Sequence, residues 1–242
     1  MKAVILAAGR GTRLGKLTDN CPKPMVKVEG MPIVEYVMQG IIDAGIKDFV
    51  LVTKYLSEKV KEYFGDGSKW GINIQYVEQD DRYGTGIALL MSKELVGDDD
   101  ILMCYGDCLM ERKDYKKAVD LFKANDVFAV EALNYVDDPW QGSAVMFNEN
   151  NIVTDMIEKP EKGTIPSHWN SAGLFVFKNE IYDYCQALKP SPRGEYELPE
   201  AINKIIKDNK KIYAYCLDGD WCDMGRPEDI PFAGEIIKRN MK

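Results

Sequence analysis

A doubly wound α/β fold with a mostly parallel, mixed sheet is the architecture this 242-residue sequence predicts. Three observations carry that reading. Apolar runs and helix-periodic segments alternate from residue 2 to residue 133. The first apolar run ends in a glycine-rich turn. After about residue 135 the alternation gives way to short strands separated by turn-rich pieces.

The elements follow in order. Residues 2–7 (Lys2-Ala3-Val4-Ile5-Leu6-Ala7) read as a buried strand. Residues 32–44 open with a proline at a first-turn position and carry Ile33, Val37, Ile41 and Ile42 at helical spacing. Strand 48–53 and helix 56–64 come next, the helix stopped by Gly65-Asp66-Gly67. Strand 72–77, helix 86–95, strand 101–105, helix 112–124 and strand 127–133 continue the rhythm. Beyond it lie strands 143–147, 152–157 and 172–177, helices 179–188 and 197–208, a strand at 212–216 and a helix from about 227. No Pro/Gly/Ser linker divides the chain, so residues 1–242 read as one domain with halves of about 1–134 and 135–242 sharing a sheet. No repeat of the β-helix kind is visible.

Composition narrows the function. Apolar residues make up 45% and charged residues 29%, as in a soluble globular protein. No apolar run reaches the roughly 18 residues of a membrane span. The N-terminus enters a strand at once and lacks a signal-peptide pattern, so a cytoplasmic location is expected. The net charge of −8 and the absence of a Lys/Arg-rich run argue against nucleic acid as partner. Six cysteines occur without a C-x-x-C pair, and His168 is the one histidine; reduced thiols are expected rather than a zinc site. The same count leaves little scope for a Ser-His or Cys-His nucleophile.

The informative stretch is Leu6-Ala7-Ala8-Gly9-Arg10-Gly11-Thr12-Arg13-Leu14, with Pro22-Lys23-Pro24 after it. Two glycines let the backbone turn and approach a ligand, and successive N–H groups there can form a nest for phosphate oxygens. Arg13, Lys16 and Lys23 supply cations. The dinucleotide fingerprint G-x-G-x-x-G fails, because Leu14 holds its third position. The P-loop pattern fails as well, with Arg10 in place of its first glycine and Leu17 after Lys16. What remains, G-x-G-T-R-L and then P-K-P, resembles the signature of the sugar-1-phosphate nucleotidylyltransferases, or nucleotide-sugar pyrophosphorylases.

Four further motifs follow in the order that family has them. In Gln79-Asp80-Asp81-Arg82-Tyr83-Gly84-Thr85-Gly86 a glutamine and a glycine keep the spacing with which the family reads the base, although the family usually continues G-T-A or G-L-A. The strand Ile101-Leu102-Met103-Cys104-Tyr105 ends in Gly106-Asp107, placing a carboxylate at the sheet's edge, where it suits a hard cation such as Mg²⁺. The upstream run Asp98-Asp99-Asp100 reads as a solvated turn. Met156-Ile157-Glu158-Lys159-Pro160 and Asn170-Ser171-Ala172-Gly173 match the family's E-K-P and N-x-x-G. Gly142 falls where the family has Y-G, with the glycine kept and the tyrosine not, and Arg193-Gly194-Glu195 resembles R-G-E. Trp221-Cys222-Asp223-Met224-Gly225 matches W-x-D-x-G.

The resemblance implies a Rossmann-like nucleotidyltransferase fold with an inserted sugar-binding portion. It implies an enzyme that joins a nucleoside triphosphate to a sugar 1-phosphate, releasing pyrophosphate. Arg13, Lys23 and Asp107 would be catalytic, and Asp107 and Asp223 would hold Mg²⁺. Leu6, Ala8, Gly9, Gly11, Thr12, Gln79, Gly84 and Thr85 would bind the nucleotide. Gly142, Glu158, Lys159, Asn170, Gly173 and Arg193 would seat the sugar phosphate. A pyrimidine triphosphate (dTTP or UTP) and glucose 1-phosphate are the expected substrates. GTP with mannose 1-phosphate, CTP with a phosphorylated alcohol, and a non-catalytic regulatory relative stay open, and an NAD-linked dehydrogenase is weighed down by the failed fingerprint. A face after residue 227 could serve a homo-oligomer.

Overall fold

A strand as apolar as Ala3-Val4-Ile5 needs cover on both faces. The computed structural model, which describes residues 1–240, supplies it. The chain opens with β1 (Lys2–Leu6), a glycine loop, the 3₁₀ stretches Thr12–Thr18 (kinked at Gly15) and Lys23–Met25, then the small hairpin β2 (Lys27–Val28) and β3 (Met31–Pro32). Next come α1 (Ile33–Asp43), β4 (Asp48–Thr53), α2 (Ser57–Phe64) and β5 (Asn73–Glu78). Two short helices, α3 (Thr85–Leu90) and α4 (Lys93–Val96), lead to β6 (Ile101–Tyr105), β7 (Cys108–Met110), α5 (Arg112–Ala124) and β8 (Ala129–Tyr135). The second half is β9 (Ser143–Phe147), β10 (Val153–Glu158), β11 (Trp169–Phe177), α6 (Ile181–Gln186), α7 (Leu198–Lys207), β12 (Ile212–Cys216), β13 (Trp221–Asp223) and α8 (Ile230–Asn240).

The main sheet runs β10-β9-β11-β6-β1-β4-β5, with β8 paired to β11 and β12 paired to β8. The four strands β6, β1, β4 and β5 are parallel, as expected from helix crossovers between them. Beyond β6 the sheet is mixed: β11 runs antiparallel to β6, β8 and β9. Strand β11 is longer than the sequence pattern suggests, starting at Trp169 rather than 172, and β8 covers Ala129–Tyr135 rather than 127–133.

Alternation along the parallel strands feeds two cores. Ala3, Ile5, Phe49 and Leu51 pack toward α1, α5 and α8. Val4, Val50, Val52 and Met103 pack toward α3, α6 and α7. The expected single helix 86–95 is instead two, broken at Met91-Ser92. Ser92 is buried, and its hydroxyl lies 2.7 Å from both the Leu89 carbonyl and the Tyr182 hydroxyl. Side-chain bonding of this kind competes with the helix ladder. The cysteines are all free, four of them buried. No helix among the described residues is long and apolar enough to cross a membrane.

One core residue is out of character. Glu131 in β8 has no exposed surface, and neither carboxylate oxygen has a hydrogen-bond partner among the described residues. Burial pushes its carboxyl up to about 8, with the nearby Ser171 hydroxyl opposing only in part. The folded chain therefore holds a proton here that the unfolded chain releases above about pH 5. Stability from this group is complete at low pH and is lost as pH rises through about 8. Glu131→Gln is expected to flatten the decline of Tm across that window. Equal slopes in the two proteins would mean that Glu131 is ionised in the fold.

Candidate active site

The glycine loop leaves β1 between the ends of its two neighbours. The Gly106 N–H donates to the Leu6 carbonyl at 3.0 Å, and the Ala7 N–H to the Val52 carbonyl at 2.8 Å. Backbone bonding resumes with Leu14 N–H on the Gly11 carbonyl. Between them, the amides of Ala8, Gly9, Gly11, Thr12 and Arg13 have no hydrogen-bond partner in the protein among the described residues. Leu14 anchors the loop in the core, and the buried Thr18 hydroxyl lies 2.9 Å and 3.1 Å from the Gly11 and Gly15 carbonyls. Free amides on a pinned loop can form an anion cradle. Gly11 is required there. Its φ is +71°, and a Cβ would lie 2.7 Å from the Lys23 Cβ.

Lys23 holds the centre. Pro22 and Pro24 flank it and fix the backbone. Its ammonium pairs with Asp107 and lies 3.3 Å from Asp223. Burial alone would lower its pKa. The two carboxylates outweigh that and raise it, so the ammonium stays protonated. Asp223 is pushed up by burial and by Asp107, and held back by Lys23 and Arg13. Pairing of β7 with β13 brings the two aspartates together: Cys108 faces Asp223, and the Met224 N–H donates to the Asp107 carbonyl at 3.0 Å. Gly225 leaves room for Arg13, whose Nη2 would lie 3.3 Å from a Cβ there.

Donor atoms of Asp107, Cys108 and Asp223 lie within 4.8 Å of one another. The Cys108 thiol is pushed well up by burial and by both aspartates, so it stays neutral. The effective donor set is then two carboxylates, which suits a hard divalent cation rather than zinc. The Asp98-Asp99-Asp100 run lies at the opposite end of β6, where Asp99 binds the N-terminal ammonium at 2.7 Å and Asp100 accepts the Asn179 N–H.

On the other side of β1, Gln79 follows β5 and is buried. Its Nε2 donates to the Arg82 carbonyl at 3.0 Å and reaches the Gly84 carbonyl at 3.4 Å, folding the loop on itself. Gly84 has φ +134° and lies against the Tyr196 backbone, while the Thr85 hydroxyl accepts the Leu198 N–H. Tyr196 is a participant that no sequence signal marked.

The third group gathers on β9, β10 and β11. Glu158 accepts the Ser143 hydroxyl, and the Lys159 N–H donates to the Gly142 carbonyl at 2.7 Å. Lys159 sits at φ +45°, a conformation that is uncommon for a lysine and gathers at functional sites. Gly142 lies against the Asn170 amide, which donates to Asn134 and whose Oδ1 has no partner among the described residues. Gly173 packs on the Tyr105 ring and the Cys108 sulfur, which ties this group to the aspartates. Arg193 is occupied by carboxylates: Glu197 at 2.7 Å, Glu158 at 3.4 Å and Glu195 at 3.8 Å.

Residues 2–239 fit the model of the Nucleotidyl transferase family. The chain belongs to that family. It is 40% identical over 243 residues to the bifunctional protein GlmU of Methanococcus aeolicus, covering 100% of this chain and 56% of that one. It is 35% identical over 231 residues to the UTP–glucose-1-phosphate uridylyltransferase AglF of Haloferax volcanii, covering 95% of this chain and 93% of that one. Of several archaeal relatives it spans only about half to two thirds of the length. Among solved structures, a Bacillus anthracis protein assigned as a glucose-1-phosphate thymidylyltransferase, in complex with a sucrose, superposes with a TM-score of 0.89 at 26% identity, over 98% of this chain and 94% of that one.

The family's reaction gives the loop a test. Gly11→Ala is expected to lower the rate of nucleotidyl transfer at least about tenfold, because the new Cβ strains the turn and presses on Lys23. The chain should still melt cooperatively. A wild-type rate would show that Lys23 can shift without consequence.

Proposed function

We propose that this chain condenses a nucleoside triphosphate with a sugar 1-phosphate to give a nucleotide-sugar and pyrophosphate. The observation that carries the reading is the convergence of Arg13, Lys23, Asp107 and Asp223 beside a loop of free amides.

An oxygen of the sugar phosphate attacks the α-phosphorus in line, its bond forms as the bond to pyrophosphate breaks, and pyrophosphate carries the electron pair away. A phosphate monoester, with a second pKa near about 6, is already a nucleophilic anion at neutral pH. No general base is needed. His168 stacks on Tyr135, with its Nδ1 2.9 Å from the Asp137 carbonyl, and takes no part in this reading. The work is positioning and charge neutralisation. The amides of Ala8, Gly9, Gly11 and Thr12 cradle the triphosphate, with Leu6 at the strand end below. Arg13 neutralises the leaving pyrophosphate. Lys23 turns from the carboxylates to the phosphates. Gln79, Gly84 and Thr85 hold the base. Gly142, Glu158, Lys159, Asn170 and Gly173 seat the sugar, Glu158 accepting its hydroxyls and Lys159 facing its phosphate. Asp107 and Asp223 would hold Mg²⁺, which when bound supplies shielding of the phosphate charge.

We favour dTTP or UTP with glucose 1-phosphate, on the names of AglF and of the thymidylyltransferase structure. Likeness to GlmU keeps other sugar 1-phosphates in the test. A cytoplasmic location goes with this reading. Pyrophosphate release is to be measured over five nucleoside triphosphates and a panel of sugar 1-phosphates, with and without Mg²⁺. Release is expected with a pyrimidine triphosphate and is expected to vanish in EDTA. Silence in every combination, from protein that binds nucleotide, would leave a regulatory relative. Arg13→Ala and Asp223→Ala are each expected to lose turnover at least about a hundredfold with the fold intact; wild-type-like rates in either would overturn its assigned role.

A further inference from the structure

Two arginines stand on the glycine loop of a chain whose net charge is −8. Elsewhere Arg82, Arg112, Arg193 and Arg239 each pair with a carboxylate. Arg10 and Arg13 form no such pair among the described residues. Arg13 lies beside Gly225, on the side of the loop where Asp223 is. Arg10 is exposed and lies on the other side, its guanidinium carbon 5.1 Å from the centroid of the Tyr55 ring. The topology explains the division. Strand β1 pairs on one edge with β6, which leads to Asp107, and on the other with β4, which leads to Tyr55.

Tyr55 is a fixed platform. Its hydroxyl donates to the Asp19 carbonyl at 2.8 Å and lies 3.3 Å from the Thr18 carbonyl. The Lys59 ammonium donates to the next carbonyl, that of Asn20. On the opposite side of the turn, the Lys54 ammonium donates to the Asp80 carbonyl of the base loop. Leu56, directly after the ring, sits at φ +49°, a conformation that a leucine keeps only where its surroundings hold it. The ring is thus tied to the foot of the loop whose tip carries Arg10. A guanidinium over an exposed ring gains only modestly from it, and its N–H donors stay available to another partner. Gly9 and Gly11, on either side of Arg10, have free amides, so an anion seated on them lies beside that partnerless fork. In the reading above, Lys23 and the aspartates surround the α-phosphate, and the nucleoside itself carries no charge. What remains for Arg10 is the terminal part of the triphosphate, the part that leaves.

We propose that Arg10 is a further catalytic residue that binds the departing pyrophosphate, and that Tyr55 is the positioning residue that keeps it beside the loop. The proposal rests on the nucleotide-sugar reading above. It gives the leaving group a cation on each side, Arg13 toward the aspartates and Arg10 toward β4. A side chain already held beside the loop loses less freedom when the phosphates arrive than one free in solvent.

The test measures binding of inorganic pyrophosphate by calorimetry, with Mg²⁺ present and no second substrate. Arg10→Ala should raise its Kd at least about fivefold, the loss of a charge-assisted contact. Kd for the nucleotide-sugar that the wild type makes, which lacks the leaving phosphates, should change less than about twofold on the same scale. In turnover, kcat/KM for the triphosphate should fall while KM for the sugar 1-phosphate stays put. Arg10→Lys should recover only part of the loss, having charge without the fork. Tyr55→Leu should weaken pyrophosphate binding in the wild-type background and add little to Arg10→Ala, since the ring acts through the arginine. Tyr55→Phe keeps the ring face; it should bind pyrophosphate more tightly than Tyr55→Leu, and it serves if the leucine variant does not fold. An unchanged pyrophosphate Kd in Arg10→Ala, an equal loss for the nucleotide-sugar, or additive effects of Arg10→Ala and the Tyr55 substitution would overturn the proposal alone. Absence of wild-type turnover with every sugar 1-phosphate would overturn the function and the proposal with it.

Discussion

The site depends on one buried cation between two carboxylates. Lys23 and Asp223 are 200 residues apart in sequence, and Asp107 lies between them in the chain. An ammonium with little access to water must be paired, and paired carboxylates must be neutralised. Each group therefore requires the others. Removing the lysine would leave two facing carboxylates, and removing both carboxylates would strand a buried lysine. The arrangement suits a site that receives polyphosphate: its charges are already gathered at one place before substrate arrives.

That constraint explains much of the surrounding architecture. The hairpin-like pairing of β7 with β13 has only three residue pairs, yet it sets the distance between the aspartates. Gly225 and Gly173 are places where a side chain would push Arg13 or Tyr105 aside. The β sheet supplies the rigid frame. The parallel strands β1 and β6 end side by side, and both functional loops leave from those ends. Ligand sites in doubly wound sheets gather at carboxyl ends of strands for this reason.

The sequence was legible where a residue's chemistry and its local pattern coincide. Ala3-Val4-Ile5 announces a buried strand, and Gly9 and Gly11 after it announce a loop that approaches a ligand. The W-x-D-x-G and G-D motifs each point to a carboxylate, although no local signal says that they meet. Their meeting is a property of β7 and β13, strands too short to be read by periodicity. Ser92 broke a helix through a hydroxyl bond to Tyr182, 90 residues away. Tyr196 meets the base loop through its backbone while its ring packs against the second core, so no local motif marks it. The resemblance to R-G-E marked Arg193 as a site residue, but only the placement of three carboxylates around it defines its surroundings.

The position of β11 has a consequence for how this chain comes to be folded. Residues up to 135 include β6, β1, β4 and β5, and one edge of β6 is closed only by β11, whose residues are 169–177. During synthesis that edge stays open for dozens of residues after β6 is complete. An unpaired apolar strand edge such as Ile101-Leu102-Met103-Cys104 invites pairing with other chains. The pairing that closes it is non-local and antiparallel, and such contacts form late. A fragment ending near residue 135 would thus carry the phosphate loop and one of the two aspartates, yet it would present an adhesive border rather than a finished domain.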